Sequence, residues 1–215
     1  MKKKIVLVSL LFFAVLSPLM ADKLIFTEFG VSYGSIISGT MLTQDMPYPG
    51  NLANNTSGTY DSVLFDAKIG ASFLRWGQIY IGAGFDPFIL RESTEMRVNN
   101  QENYTFTPVF IGIRANIFPE WPVYPGFMFE YGKAAANLHS QYEVIYPTTP
   151  PKSAMVDVDN SWASDYYNFG LSVNWNYSDN AVLSLKIERP SFSNIVKSYG
   201  EIQILKAGLA WQIYY

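Results

Sequence analysis

EIQILKAGLAWQIYY, residues 201–215, is the stretch whose reading decides the fold of this chain. From position 205 its odd residues are Leu205, Ala207, Leu209, Trp211, Ile213 and Tyr215, an unbroken apolar and aromatic stripe. The even residues between them are Lys206, Gly208, Ala210 and Gln212, which put a charge and small or polar groups on the other side. A period of two is the mark of a strand, because successive side chains point to opposite faces. The stretch finishes on an aromatic residue with no polar tail, and that end is expected at a boundary between apolar and wet surroundings.

The same alternation recurs upstream. Segments near 24–42, 60–76, 78–91, 104–118, 123–138, 162–177 and 181–189 join 201–215 to make eight. A tilted strand needs about 9–11 residues to cross an outer membrane, and each segment reaches that length. Short breaker-rich turns separate some of them: Trp76-Gly77-Gln78, Pro119-Glu120-Trp121-Pro122 and Ser178-Asp179-Asn180. Longer polar links separate the others, at 43–59, 92–103, 139–161 and 190–200. Long and short connections therefore alternate along the whole chain. An all-β fold follows: an eight-stranded antiparallel up-and-down transmembrane β-barrel, with short turns and both termini on the periplasmic side.

Charge sorts with parity. Ile25, Phe29, Val31, Ile69, Ile81, Val109, Ile111, Ile113, Phe129, Leu171, Leu185 and Ile187 are odd and assigned to the outside. Glu28, Asp66, Lys68, Asp86, Arg114, Glu130, Lys186, Glu188 and Lys206 are even and lie well inside their segments. The odd-face charges, such as Asp61, Lys133, Asp165, Arg189 and Glu201, fall near segment ends. There a lipid-facing charge costs about 0–1 kcal/mol, against roughly 2–4 kcal/mol for Arg or Lys at the midplane. The nine even charges are therefore expected to form a network across the lumen, five acids against four bases, with one carboxylate left over. Even-numbered glycines, Gly112 among them, leave room for inward Tyr80, Phe88, Phe106, Phe110, Met128 and Tyr166. On this reading Gly112 tolerates serine. A soluble lipocalin-like barrel would turn the apolar face inward and scatter Lys and Glu along the other; nine charges among Gly, Ser and Asn argue against it.

Residues 1–21 read as a cleaved signal peptide, with Lys2, Lys3 and Lys4 before the apolar run Ile5–Leu16 and Ala21 at its end; 22–215 is then the barrel. Without them twelve basic and eighteen acidic side chains remain, a net charge of −6, which disfavours a nucleic-acid partner. There is no cysteine, so a disulfide framework, a thiolate metal site and lipidation at a cysteine are all excluded.

In its last strand, with Leu209, Trp211, Ile213 and Tyr215 on one face, the chain resembles the small bacterial outer-membrane β-barrels, those of outer-membrane proteins A (transmembrane domain), X and W. The resemblance implies a place in the bacterial outer membrane, surrounded by its lipid, with those four residues as the signal read by the insertion machinery. A monomer is expected, with no cofactor, no metal and no catalytic residues. The function read from this is a non-enzymatic barrel with a side-chain-filled lumen that anchors four surface loops for structural, binding or adhesion roles. Loops 43–59 and 139–161 are the candidate sites for an external ligand. Two other functions stay open. One is a narrow channel for small apolar solutes, as in the W family. The other is a lipid A-modifying barrel enzyme built on His139, the only histidine, beside Ser140 and near Glu143. Asp157, Asp159 and Asn160 resemble part of a calcium loop but lack its glycine and closing glutamate, and they read as solvated loop residues.

Overall fold

The computed structural model describes residues 25–38, 59–74, 76–91, 101–146, 152–193 and 201–215. Eight strands run through them: β1 (Ile25–Ser38), β2 (Thr59–Leu74), β3 (Gly77–Arg91), β4 (Gln101–Asn116), β5 (Val123–Tyr146), β6 (Lys152–Ser178), β7 (Ala181–Ser193) and β8 (Ile202–Tyr214). Each pairs antiparallel with its neighbours in sequence, and β8 pairs with β1, so the sheet closes. The leader expected over 1–21 lies outside the described residues, as does the loop expected over 43–59 except for Thr59, which opens β2.

Closure follows from the surroundings the outer face requires, since an open edge in hydrocarbon would leave backbone N–H and C=O groups without partners. The register can be followed round the wall. From Gln212 the partners run to Glu28, Lys68, Gly82, Phe110, Gly132, Tyr166, Phe192 and finally Ile202. One circuit thus returns to β8 ten residues from its start. With strands ~4.8 Å apart and a rise of ~3.3 Å per residue, that stagger tilts eight strands by roughly 40°.

Odd and even separate as the alternation requires. Phe29, Val31, Ile69, Ile81, Val109, Ile111, Ile113, Phe169, Leu171, Leu185 and Leu209 are exposed on the outside. The charged and aromatic even residues are buried within. A wall apolar on its outside and polar on its inside is built for lipid, and at about 25 cal/mol per Å² of apolar surface a water-facing version would be strongly disfavoured. At the short-turn end Trp175 and Tyr177 meet edge to face, and Phe118 stacks on Trp121 with centroids 4.7 Å apart. Phe118 holds a positive φ of 55°, and Asn176 Nδ2 donates to the carbonyls of Pro119 (3.1 Å) and Trp121 (2.9 Å), which fixes that turn. At the other end Tyr33, Tyr131, Lys133 and Arg189 face outward, Lys133 paired with Asp165 and Arg189 donating to Gln203.

Three expectations are corrected. The link expected over 139–161 is mostly strand: β5 continues to Tyr146 and β6 begins at Lys152, in register from His139↔Asp159 to Tyr146↔Lys152. Pro147, Pro150 and Pro151, close together between the two strands, give this stretch the composition of a loop. β7 passes through Pro190 to Ser193; Pro190 pairs with Asn168 on one side and has no partner on β8. A proline is tolerated where its missing N–H leaves no ladder bond broken. Finally, a Cβ on Gly112 would run into the ring of Tyr80 opposite it, so the lumen has no room for serine there.

Candidate functional site in the lumen

The described interior has three layers, set by parity and by the stagger. Nearest the short turns is a neutral polar layer. Gln78 Nε2 donates to the Tyr214 hydroxyl (2.7 Å), Ser184 Oγ to Asn174 Oδ1 (2.7 Å), and Asn174 Nδ2 to Asn116 Oδ1 (3.4 Å).

Above it lie the charges. Glu28 on β1 is fully buried and takes Arg114 from β4 through Nη1–Oε2 (2.7 Å) and Nη2–Oε1 (3.0 Å). Lys186 from β7 closes on the same carboxylate. Arg114 also donates to Gln212 Oε1 (3.2 Å) and Gln78 Oε1 (3.4 Å), and its guanidinium lies over the Tyr80 ring at 5.6 Å. Lys68 on β2 is the central node: its Nζ lies 2.6 Å from Glu130, 3.5 Å from Asp66, 3.7 Å from Glu28 and 3.8 Å from Glu188. Glu130 on β5 accepts in addition from Tyr80 (3.1 Å), Tyr166 (3.0 Å) and Asn168 (2.9 Å). Lys206 on β8 lies 3.1 Å from Glu188. A buried charge is costly unless it is paired, and eight of the nine charges form ion pairs.

The ninth is Asp86. It is 1 % exposed, forms no ion pair among the described residues, and its Oδ2 has no hydrogen-bond partner. It sits on β3 where the interior turns apolar, opposite Phe106. This third layer, nearest the long links, packs Leu64, Phe88, Phe106, Phe192, Ile202 and Ile204 out of solvent. Phe106 stacks on Phe192 with centroids 4.4 Å apart, and Tyr166 touches both Phe110 and Phe192 at 5.4 Å. Leu64, Phe192, Ile202 and Ile204 were absent from the sequence reading. Parity is the signal that finds them: Phe192 lies past Pro190, where the seventh segment is expected to end, and Ile202 and Ile204 share the even face with Lys206, Gly208 and Gln212.

Of the four residues assigned to insertion, Leu209, Trp211 and Ile213 lie on β8, between β7 and β1, and Tyr215 directly follows it. Leu209, Trp211 and Tyr215 are exposed and Ile213 is half-buried, with Trp211 opposite Phe29 and Leu183. Tyr215 N donates to Ile25 O at 2.9 Å, which ties the end of the chain to β1.

His139 is on the outside of the β5–β6 ribbon, its Nδ1 2.7 Å from Asp159 Oδ1 and both side chains exposed. The nearby Ser161 hydroxyl donates to Asn137 Oδ1 (2.7 Å), two residue pairs along the ladder from the histidine. Asp157 and Asp159 lie along an extended strand and not in a loop, and among the described residues no three metal-ligating side chains gather. Ion pairs, hydrogen bonds and aromatic contacts reach across the described interior from every strand.

No family model matches the chain, and no curated protein matches it in sequence. Among solved structures it is similar to Neisserial surface protein A, at 6% identity over 89% of this chain and 97% of that one, with a TM-score of 0.54. It is also similar to the attachment invasion locus protein Ail of Yersinia pestis, at 9% identity over 90% and 100% of the two chains (TM-score 0.48). The outer membrane protein OprG of Pseudomonas aeruginosa is similar at 8% identity over 90% and 98% (TM-score 0.48). The first of these likenesses agrees with what the closed wall shows directly: the fold is that of the small bacterial outer-membrane β-barrels.

Proposed function

We propose that this protein is a non-enzymatic barrel of the bacterial outer membrane whose lumen is sealed by its own side chains. Its work is to hold surface-exposed elements in place for structural, binding or adhesion roles. The observation that carries this reading is the layered interior: ion pairs centred on Glu28, Lys68 and Glu130 under a packed aromatic layer. Water and ions have no continuous route through such a filling, and an eight-stranded wall encloses only enough space for side chains. His139 is read as a surface residue held by Asp159. The test is electrical. Purified wild-type protein in planar bilayers should give no steady conductance, and well-resolved single-channel steps would overturn the proposal.

One observation favours a second reading, a narrow path for small apolar solutes. The β3–β4 ladder pairs Ala83 with Val109 and then resumes at Asp86 with Phe106; Pro108, which has no N–H, lies in the gap. The β2–β3 ladder is interrupted beside Pro87, between the Asp61↔Ile89 and Phe65↔Phe85 pairs. Both interruptions flank the apolar layer. An engineered disulfide between Phe85→Cys and Thr107→Cys would close the first. If it abolishes uptake of a small apolar dye into vesicles, the path is real; equal uptake with and without the protein discards it.

A further inference from the structure

The ladder between β7 and β8 is interrupted near its upper end. It pairs Glu188 with Lys206 and resumes only at Ser191 with Gln203. In that register Pro190 falls opposite Ile204, and without an N–H it cannot donate to the carbonyl of that residue. β7 is still paired there with β6, at Phe169↔Arg189 and Asn168↔Pro190. β8 is still paired with β1, at Ile36↔Ile204 and Ser35↔Leu205. Arg189 and Pro190 on β7, and Ile204 and Leu205 on β8, are thus each held from one side of the wall only. Behind the break lie Phe192, Ile202 and Ile204 of the apolar layer, all buried.

On the outer face of the same seam, side chains bridge what the backbone leaves open. Arg189 on β7 donates through Nη2 to Gln203 Oε1 on β8. Gln203 Nε2 in turn donates to Glu201 Oε1 at 3.2 Å. The Glu201 carboxylate also takes hydrogen bonds from Tyr167 on β6 and Ser191 on β7. Ser191, although outward by parity, is only 4 % exposed, which shows how closely these groups pack. Glu201 sets the direction of the string: by accepting from the amide nitrogen of Gln203 it leaves the amide oxygen for the guanidinium. We propose that Arg189, Gln203, Glu201 and Tyr167 form a clasp across the outer face of the β7–β8 seam. It stands in for the backbone bond that Pro190 cannot make, and it lets go when Glu201 loses its charge.

Glu201 precedes β8, and the titratable and charged groups facing it among the described residues are Tyr167 from β6 and Arg189 from β7. The Tyr167 hydroxyl, followed by Ser191, Gln203 and the Arg189 charge, holds the Glu201 carboxyl below the usual carboxylate range. A carboxyl held low contributes stability that is complete above its unfolded value and is lost as the pH falls through the lowered one. The clasp is therefore shut at neutral pH and released by acid.

The test uses the full-length barrel in phosphatidylcholine nanodiscs. Amide hydrogen exchange is read by NMR at Phe192, Ile204 and Lys206 beside the break, and at Leu171 and Leu185 as a reference. Arg189→Leu and, separately, Gln203→Leu should raise exchange beside the break about fivefold, as expected for one exposed charge-assisted hydrogen bond, and leave the reference unchanged. Pro190→Ala restores the backbone donor, so in that background Arg189→Leu should have no effect. Glu201→Gln should be looser than the wild type already at pH 7. In the wild type, exchange beside the break, corrected for the rate of free amides, should rise on acidification. The proposal is overturned if neither leucine variant loosens the break, or if exchange rises equally at the reference amides. It is equally overturned if Arg189→Leu loosens the Pro190→Ala barrel as much as the wild type, or if acid loosens Glu201→Gln as much as the wild type. A broken clasp leaves the charge layer below untouched, so conductance continues to test the anchor reading separately.

Discussion

Two carboxylates in the same lumen should respond oppositely to loss of their charge. Glu130 and Asp86 are each 1 % exposed, but their surroundings differ. Glu130 accepts from Lys68, Tyr80, Tyr166 and Asn168 at 2.6–3.1 Å, whereas Asp86 has no ion-pair partner among the described residues and a buried, unpaired Oδ2. Glu130→Gln keeps the shape but turns an NH₂ toward two of those donors and deprives Lys68 of its shortest ion pair. Removing one partner of a buried pair costs about 3–5 kcal/mol. The remaining carboxylates near Lys68, at 3.5–3.8 Å, argue for the lower end of that range. Asp86→Asn removes a buried charge that has no ion-pair partner among the described residues and only the more distant Lys206 to offset it, so it should be neutral or stabilise by about 1 kcal/mol. The two substitutions should therefore differ by roughly 3–4 kcal/mol, with opposite signs. Urea unfolding from phosphatidylcholine vesicles, followed by tryptophan fluorescence and by heat-dependent gel mobility, measures both. If the two variants fall within about 1 kcal/mol of each other, the layered account of the lumen is wrong.

Other outcomes follow from the same geometry. Ile111→Arg puts a charge in lipid at midstrand and should cost about 2–4 kcal/mol in the same assay, since Ile111 points outward. Gly112→Ser, one residue along, should also destabilise by about 1–3 kcal/mol because the Tyr80 ring has to move; a neutral result would mean the ring is not seated over Gly112. Removing Tyr215 should lower the amount of protein in the outer membrane far more than removing Asn54 does, and equal amounts would show that β8 carries no insertion signal at its end. Arg114→Ala should leave Glu28 with the two lysines alone, and the barrel should become leaky or lose about 3 kcal/mol; unchanged stability with a silent bilayer would count against the network.

The wall was legible in the sequence because lipid outside and a filled lumen inside impose opposite demands on neighbouring residues. Phe29, Ile111 and Leu185 could be assigned outward, and Glu28, Lys68 and Glu130 inward, from parity and charge. The partners of those charges were not legible. Lys68 meets Glu130, which is three strands away, only because the closed sheet carries a particular stagger, and no local feature of either strand encodes it. The upper ribbon was hidden for a different reason. His139–Tyr146 and Lys152–Ser161 do alternate, but Pro147, Pro150 and Pro151 between them give the whole region the composition of a loop. The place of serine at Gly112 was misjudged because room in a lumen depends on the ring across the sheet, which sequence spacing does not reveal.

The central claim is that odd residues face lipid and even residues face a packed interior. It is tested most directly by methyl NMR of the barrel in nanodiscs, with a nitroxide carried near the end of the lipid acyl chain. The methyl signals of Ile111, Ile113, Leu185 and Leu209 should broaden strongly, while those of Leu64, Val182 and Ile204 stay sharp. Broadening of the second set with sparing of the first would turn the barrel inside out and contradict the account.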